Sequence, residues 1–372
     1  PLYSSAASDV YKRQAIMSIF ISIAAYRDKE LPKTIKSLYE NADKPEELVF
    51  GIVSQDLKAR HPNVEWLGDQ ARLYKMHARD AKGAGYARKI AMELYDGEEY
   101  FFQTDSHMRF IKGWDSKLKD MLSQSQEISG TEKVILSQFP APYILYSNGK
   151  DHYVKGDKLY WDDVSWTSVV NTWSGVWAGN REVMEDKTKP MKSHTILAGL
   201  LFTIGDFVKE IPYDERICFM GEELCIALRS YTRGWQIYAP NEMVAWHFYK
   251  RKEMSKIWKD NTGARSWANI ELFSQRIQKD VLLGIEQGVY GIEDYEKYYE
   301  YQKMIGIDFA KFYEKEMDRK LNLGLVTQET MFDENFNMIE IAITGYCNSG
   351  LHNECLAKEN CQCVCHEGED DV

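Results

Sequence analysis

The chain has no excess of positive charge and no long apolar run. Its 46 Lys and Arg residues face 57 Asp and Glu, a net charge of −11. This charge argues against nucleic acid or an anionic membrane as the main partner, although a local basic cleft can still bind a phosphorylated ligand. No apolar run approaches the ~20 residues that a membrane span requires, and the start lacks the apolar core of a secretion signal. We therefore expect a cytoplasmic protein with no membrane span and no nucleic-acid partner.

Cysteine is scarce until the end of the chain. Cys218 and Cys225 lie in apolar surroundings, which predicts core packing. The remaining five cysteines cluster near the C-terminus with two histidines: Cys347, His352, Cys355, Cys361, Cys363, Cys365 and His366. An intracellular chain seldom uses such a cluster for disulfides, so a structural Zn²⁺ in this tail is one hypothesis. A metal-free, disordered tail is the alternative.

The order of apolar and helical segments predicts a layered α/β domain. Strand patterns over Ile19–Ala24 and Leu48–Val53 alternate with helical spacing over Leu31–Tyr39 and Gly85–Tyr95, and a further apolar strand begins at Tyr100. A β-α-β-α-β order implies a mostly parallel central sheet flanked by helices on both faces. From Ser266 to about Tyr313 the pattern is helical, which predicts a C-terminal helical segment.

The strand that begins at Tyr100 ends in an Asp-x-His pair. Side chains alternate along an extended segment, so Asp105 and His107 are predicted to project from the same face. A carboxylate and an imidazole suit Mn²⁺ or a similar borderline ion and leave positions for a diphosphate and water. A solvated strand end is the structural alternative. Because ligands of parallel sheets gather at the carboxyl ends of strands, Asp28 and Asp56 are expected to converge on the same cleft.

Several motifs occur in an order that resembles a known family. They are Tyr26-Arg27-Asp28, Ala84-Gly85-Tyr86-Ala87-Arg88, Gln103 to Met108 followed by Gly113-Trp114-Asp115, Gly221-Glu222-Glu223, and His247-x-Tyr249-x-Arg251. This set resembles the cytosolic N-acetylglucosaminyltransferase family whose eukaryotic members modify hydroxyproline on a protein. It is more distantly similar to mucin-type polypeptide N-acetylgalactosaminyltransferases. The resemblance extends from about Ile19 to Phe312.

The resemblance implies an enzyme of GT-A fold that uses a UDP-sugar and Mn²⁺ or Mg²⁺. In that case Asp105 and His107 are the metal-binding pair and His247 is the third protein ligand. The polar, unpatterned residues before Met17 are separately predicted to be a non-native or disordered leader, at 1–16. The predicted organisation continues with a GT-A domain at 17–260, a helical extension at 261–335 and the Cys/His-rich tail at 336–372. The implied reaction moves N-acetylglucosamine, or a related N-acetylhexosamine, to an acceptor hydroxyl.

The same resemblance suggests roles for the residues around the metal. The predicted nucleotide contacts are Ala24, Arg27, Asp28, Asp56, Gly83 and Ser106. Lys82, Arg88 and Arg251 are candidates to neutralise the phosphates, since guanidinium groups bind phosphate in bidentate fashion. For each of these three cations, a solvated surface role is the alternative.

The two glutamates at the start of the predicted helix from Gly221 are the catalytic candidates. Glu222 and Glu223 are predicted to contact the donor sugar or to lie near the acceptor, although acidic residues also favour a helix N-terminus for electrostatic reasons. The family likeness favours retention of the anomeric configuration. An inverting enzyme would instead use one glutamate as general base on the acceptor hydroxyl.

Two other classes of function remain open on the sequence alone. A metal-dependent nucleotidyltransferase also places acidic ligands at strand ends, but it more often uses two carboxylates than an Asp-x-His pair. A sugar-binding module without catalysis would not need a metal site. The acceptor is open as well: a protein hydroxyl, a glycan or a surface polysaccharide, chosen by the loops between Tyr143 and Ser193.

Overall fold

The computed structural model describes residues 18–57, 60–145, 151–153, 160–163, 180–183, 186–219, 221–249, 254–257 and 264–313. Arg251, the leader at 1–16 and the Cys/His-rich tail at 336–372 lie outside the described residues, so the predictions for them stay predictions.

The described part of the chain alternates strands and helices. The strands are β1 (Ile19–Tyr26), β2 (Leu48–Asp56), β3 (Ala71–His77), β4 (Tyr100–Asp105), β5 (Met108–Phe110), β6 (Val134–Ser137), β7 (Ala141–Leu145), β8 (Asp151–Tyr153), β9 (Tyr160–Asp163), β10 (Asn180–Val183), β11 (Met191–Ser193), β12 (Leu200–Ile204), β13 (Gln236–Ala239) and β14 (Ala245–His247). The helices are α1 (Leu31–Asn41), α2 (Ala84–Glu93), α3 (Trp114–Ser129), α4 (Phe207–Glu210), α5 (Glu222–Thr232), α6 (Ala264–Leu282) and α7 (Tyr295–Ile305).

Eight strands form one mixed sheet in the order β11-β13-β6-β12-β4-β1-β2-β3. Strands β3, β2, β1 and β4 are parallel to one another, and β13 is parallel to β6. Strand β12 is antiparallel to both β4 and β6, and β11 is antiparallel to β13. Six of the eight strands therefore share one direction. The predicted mostly parallel central sheet is confirmed.

The alternation of side chains along β1 explains why helices cover both faces of this sheet. Ile19, Ile21 and Ile23 pack into one apolar cluster with residues of α1 and α3. Phe20 points to the opposite face, into a second cluster formed with residues of α2, α4, α5, α6 and α7. Because β1 is buried on both faces, it has the nearly continuous apolar composition typical of a central parallel strand.

A second, smaller sheet lies beyond the end of β4. Its strand order is β5-β14-β7-β8. The chain leaves the central sheet at Asp105, turns through two residues and enters the second sheet at Met108. His247 pairs in register with Met108 across β14 and β5. The two sheets thus meet at the Asp-x-His motif.

Two features differ from the sequence prediction. Strand β3 was not predicted, because it is an edge strand whose side chains are mostly half-buried or exposed and lack a clear apolar alternation. The helical region predicted from Ser266 to Tyr313 is interrupted after Leu282. Gly284 has a φ of 72°, a left-handed conformation that ends helices, and the next helix begins at Tyr295.

Candidate active site

Three potential metal ligands meet where the two sheets join. The ligand atoms of Asp105, His107 and His247 lie within 4.8 Å of one another. Nε2 of His247 is 3.0 Å from Oδ2 of Asp105 and 2.9 Å from Nε2 of His107. Nε2 of His107 is 3.8 Å from Oδ2 of Asp105. We call these three residues, together with Asp28, the histidine cluster.

The donor atoms of this cluster fit a divalent cation. Two of the three separations match the ~3.0 Å between neighbouring ligands of an octahedral ion whose bonds are ~2.1 Å long. One carboxylate with two imidazoles suits Mn²⁺ and its neighbours better than the all-oxygen sites that Mg²⁺ and Ca²⁺ prefer. The predicted ligand from a distant strand, His247, therefore lies beside the predicted pair.

Asp28 holds the far side of the His107 ring. Its Oδ2 is 2.8 Å from Nδ1 of His107 and accepts a hydrogen bond from Oγ of Ser106, also at 2.8 Å. Burial of Asp28 opposes ionisation, but the bond from His107 holds the pKa of this carboxyl below its usual value. An ionised carboxylate only accepts hydrogen bonds, so Nδ1 of His107 bears a proton and Nε2 is the ring nitrogen that faces the cluster.

A buried threonine fixes the turn that carries His107. Oγ1 of Thr34, in α1, donates to the carbonyl of Ser106 at 2.8 Å and accepts from the backbone N–H of Met108 at 3.0 Å. Thr34 is fully buried. These two bonds span the turn between β4 and β5. They explain how a chain that leaves one sheet for another still presents Asp105 and His107 to the same point.

A second group of charged residues lies next to the first. Nη1 of Arg88 donates to Oε1 of Glu222 at 2.7 Å and to the hydroxyl of Tyr213 at 3.2 Å, while Nη2 donates to Oδ1 of Asp105 at 3.0 Å. Gln103 donates to the same Tyr213 hydroxyl at 2.7 Å. We call Arg88, Glu222, Glu223 and Tyr213 the arginine cluster. Arg88 connects it to the histidine cluster through Asp105.

Electrostatics differ between the carboxylates of the two clusters. Burial alone would raise the pKa of Asp105, but the hydrogen bond from His247 and the charges of His107 and Arg88 hold it well below its usual range. Burial raises the pKa of Glu222 to about 8 against the opposing effect of Arg88. Burial also raises the pKa of Glu223, whose Oε1 accepts a hydrogen bond from the backbone of Ala198 at 2.7 Å.

Both clusters face one cavity of about 340 Å³. Ten of the predicted site residues line it: Ala24, Asp28, Gly83, Arg88, Asp105, Ser106, His107, Glu222, Glu223 and His247. Arg27 and Asp56 line an adjoining cavity of about 400 Å³ that shares Asp28 with the first. Lys82 lines neither cavity, and its Nζ lies 4.9 Å from the ring centre of Tyr86. The predicted roles of these residues stay predictions.

Sequence reasoning missed several residues that shape this cavity. Tyr213 and Gln103 orient Arg88, and Gly199 lies against Asp105, where a Cβ atom would come within 3.0 Å of Oδ2. The ring of Tyr249 lies 4.1 Å from that of His247, centre to centre. Tyr249 and Gln103 stand inside motifs that the resemblance quoted. Gly199 stands in the segment Ala198-Gly199…Phe202, which is part of the more distant resemblance, whereas Tyr213 had no local signal of contact with the site.

The mixed sheet covered by helices on both faces has the glycosyltransferase fold of the GT-A type. The fold is similar to that in the "Crystal structure of GalNAc-T7 with UDP, GalNAc and Mn2+", with a TM-score of 0.51 and 14% sequence identity over 82% of this chain. The match spans 58% of the GalNAc-T7 chain. The S. aureus TarS 1-349 structure aligns with a TM-score of 0.43 and 11% identity over 82% of this chain and 72% of that one.

The chain belongs to the Glycosyltransferase (GlcNAc) family, whose sequence model matches residues 18–66 and 56–313. This membership confirms the family resemblance that the sequence predicts. No curated protein matches the sequence. Among the helices of the described residues, none combines the length and apolarity needed to cross a bilayer.

Proposed function

We propose that this protein transfers N-acetylglucosamine, or a related N-acetylhexosamine, from a UDP-sugar to an acceptor hydroxyl, with a bound Mn²⁺ or Mg²⁺. The observation behind the proposal is the meeting of Asp105, His107 and His247, from two sheets, in one cavity. Family membership supports sugar transfer. The GalNAc-T7 structure, which shares the fold, contains UDP, GalNAc and Mn²⁺, and we propose ligands of the same kinds for this cavity.

The metal ligands and the residues around them would have separate roles in the reaction. Asp105, His107 and His247 would hold the cation, which when bound neutralises a diphosphate leaving group as a Lewis acid. Arg88 holds Asp105 and Glu222 in place and contributes positive charge to the same region. Arg27 and Asp56, in the adjoining cavity, are our candidates for the nucleoside contacts.

Glu222 is the candidate for binding the donor sugar. Its Oε1 accepts from Arg88, while its buried Oε2 has no hydrogen-bond partner among the described residues. A buried carboxyl oxygen without a partner is costly, and a sugar hydroxyl would satisfy it. We propose a retaining reaction, in which Glu222 holds the sugar and the leaving phosphate accepts the proton of the acceptor hydroxyl.

One observation favours the inverting alternative. The raised pKa of Glu222, about 8, is close to the value expected of a general base that works near neutral pH. The retaining and inverting reactions differ in the anomeric configuration of the product. NMR coupling constants measure this configuration when a simple hydroxyl compound is the acceptor. A product with the same configuration as the donor supports retention, and the opposite configuration would assign the proton transfer to Glu222 or Glu223.

The proposal as a whole is tested by UDP release and UDP binding. We expect release of UDP from UDP-GlcNAc or UDP-GalNAc in Mn²⁺, no release in EDTA, and calorimetric binding of UDP that requires the metal. Mutating a residue that only supports a metal ligand lowers metal affinity about 10–100-fold. Asp105→Ala and His247→Ala each delete a ligand itself, so each should weaken metal-dependent UDP binding by more than about 100-fold. Unchanged affinity in either folded variant would contradict the proposal.

For the C-terminal tail, we propose the Zn²⁺ site suggested by its Cys and His residues. Elemental analysis of the purified full-length protein should find zinc that is lost after truncation at Gly345. A zinc-free full-length protein would end this part of the proposal.

A further inference from the structure

We propose that Asp28 is a positioning residue that fixes His107 as a metal ligand, and that it is not a nucleotide contact. The inference rests on the metal site of the proposed function. It differs from the nucleotide role predicted for Asp28 from the sequence, because the Asp28 side chain contacts Ser106 and His107.

Both carboxylate oxygens of Asp28 are engaged by the protein. The backbone N–H of Glu30 donates to Oδ1 at 2.9 Å. Oδ2 is 2.8 Å from Oγ of Ser106 and 2.8 Å from Nδ1 of His107. Only 3% of the Asp28 side chain is exposed. A carboxylate this enclosed has little capacity for ribose or uracil, but it is well placed to orient an imidazole.

The backbone around Asp28 is built to hold this geometry. Arg27 has a φ of 47°, in the left-handed region that residues with a side chain seldom adopt, and its N–H donates to the carbonyl of Gln55 at 3.0 Å. The residue that follows this turn, Asp28, contacts Ser106 and His107. Strain of this kind persists where the surrounding structure requires it.

A buried network of ion pairs holds Glu30, whose backbone N–H donates to Asp28. The Glu30 carboxylate pairs with Arg109, and Nε of Arg109 pairs with Oδ2 of Asp151 at 2.8 Å. Glu30 and Arg109 are each 5% exposed. The Glu30 backbone that donates to Asp28 is thereby tied to β5 and β8. Removing one partner of such a pair leaves a buried charge, so the network resists rearrangement.

The test compares Asp28 with Asp56, the acidic residue at the end of the neighbouring strand. Mn²⁺ affinity is measured by titration without nucleotide, and UDP affinity is then measured at saturating Mn²⁺. We expect Asp28→Leu to lower Mn²⁺ affinity 10–100-fold and Asp28→Asn to lower it less, because the amide oxygen can still accept from Nδ1. UDP affinity at saturating metal should stay within about twofold in both variants. The matched control, Asp56→Asn, should leave Mn²⁺ affinity unchanged.

A second measurement needs no substitution. Long-range ¹H–¹⁵N NMR of the histidine rings in the metal-free wild-type protein should find the proton of His107 on Nδ1. A His107 ring protonated on Nε2 alone, with no proton on Nδ1, would overturn the proposal even if the Asp28 variants fail to fold.

The outcomes separate this inference from the proposed function. If wild-type protein binds no divalent cation, the metal site itself is wrong. If wild type binds Mn²⁺ and Asp28→Leu, folded by circular dichroism, binds it equally, the positioning role is wrong. The role is also wrong if Asp28→Leu keeps its Mn²⁺ affinity but loses UDP at saturating metal, since that is the behaviour of a nucleotide contact.

Discussion

The histidine cluster and the arginine cluster lie in the same cavity and share Asp105, yet they achieve electrostatic balance in opposite ways. In the histidine cluster, hydrogen bonds hold the carboxyls of Asp28 and Asp105 at lowered pKa, ready to face a cation. In the arginine cluster, burial raises the pKa of Glu222 and Glu223, and Arg88 is the nearby positive charge. Hydrogen bonds favour ionised carboxyls in the histidine cluster, and burial favours neutral carboxyls in the arginine cluster.

Arg88 is the point at which this contrast is most easily broken. Arg88→Met leaves the buried Glu222 and the half-buried Asp105 without their shared partner, so we expect a loss of about 3–5 kcal/mol in the free energy of unfolding. Urea denaturation at pH 7 in EDTA measures it. The matched control is Lys89→Met on the same helix, because Lys89 pairs at the surface with Glu93, which is 57% exposed. Such surface pairs contribute about 0–1 kcal/mol. Equal losses in the two variants would mean that the two clusters are not coupled through Arg88.

The contrast in pKa predicts a pH dependence that belongs to Glu222. Because its pKa rises from 4.5 to about 8 on folding, the folded protein binds more protons than the unfolded chain in that window. Stability conferred by this group is present below pH 4.5 and is lost as the pH rises toward 8, by up to about 1.4 kcal/mol per pH unit. Glu222→Gln should flatten the slope, as measured by urea denaturation across the window. Glu93→Gln, at an exposed site, should leave the slope as in wild type.

The smallest expected effect, that of Gly199→Ala, tests how closely the geometry of the histidine cluster is fixed. Gly199→Ala would place a Cβ 3.0 Å from Oδ2 of Asp105 and 3.9 Å from Cδ2 of His247. This is tight for a close-packed interior, so Asp105 should shift by a few tenths of an ångström. We expect Mn²⁺ affinity to fall by less than about tenfold, with stability in EDTA nearly unchanged. A loss as large as that of Asp105→Ala would indicate that the cluster tolerates no displacement.

Much of the fold and part of the site could be predicted from the sequence, because those features have local signals. The apolar run of β1, the helical spacing from Leu31 and the Asp-x-His pair after β4 are all patterns within a few residues. The carboxyl-end rule for parallel strands then places Asp28 and Asp105 at one edge. His247 was assigned by resemblance to a family, and the structure brings it beside the pair.

The remaining features depend on pairings that no local pattern encodes. Arg88 and Glu222 are 134 positions apart in the chain, and Asp28 and His107 are 79 apart. A carboxylate at a strand end looks the same in sequence whether it faces a ribose or an imidazole. Its position in the sequence alone favours a nucleotide contact for Asp28, whereas its contacts with Ser106 and His107 join segments that are far apart in the chain.

The shortness of β14 limits which insertions and deletions this chain can accept around His247. His247 reaches the cavity through a strand of three residues, aligned with β5 by three residue pairs. Because successive strand side chains point to opposite faces, slipping this alignment by one position would replace the imidazole with Trp246 or Phe248. Changes in the length of the flanking loops are therefore neutral only if they preserve the alignment of β14 with β5.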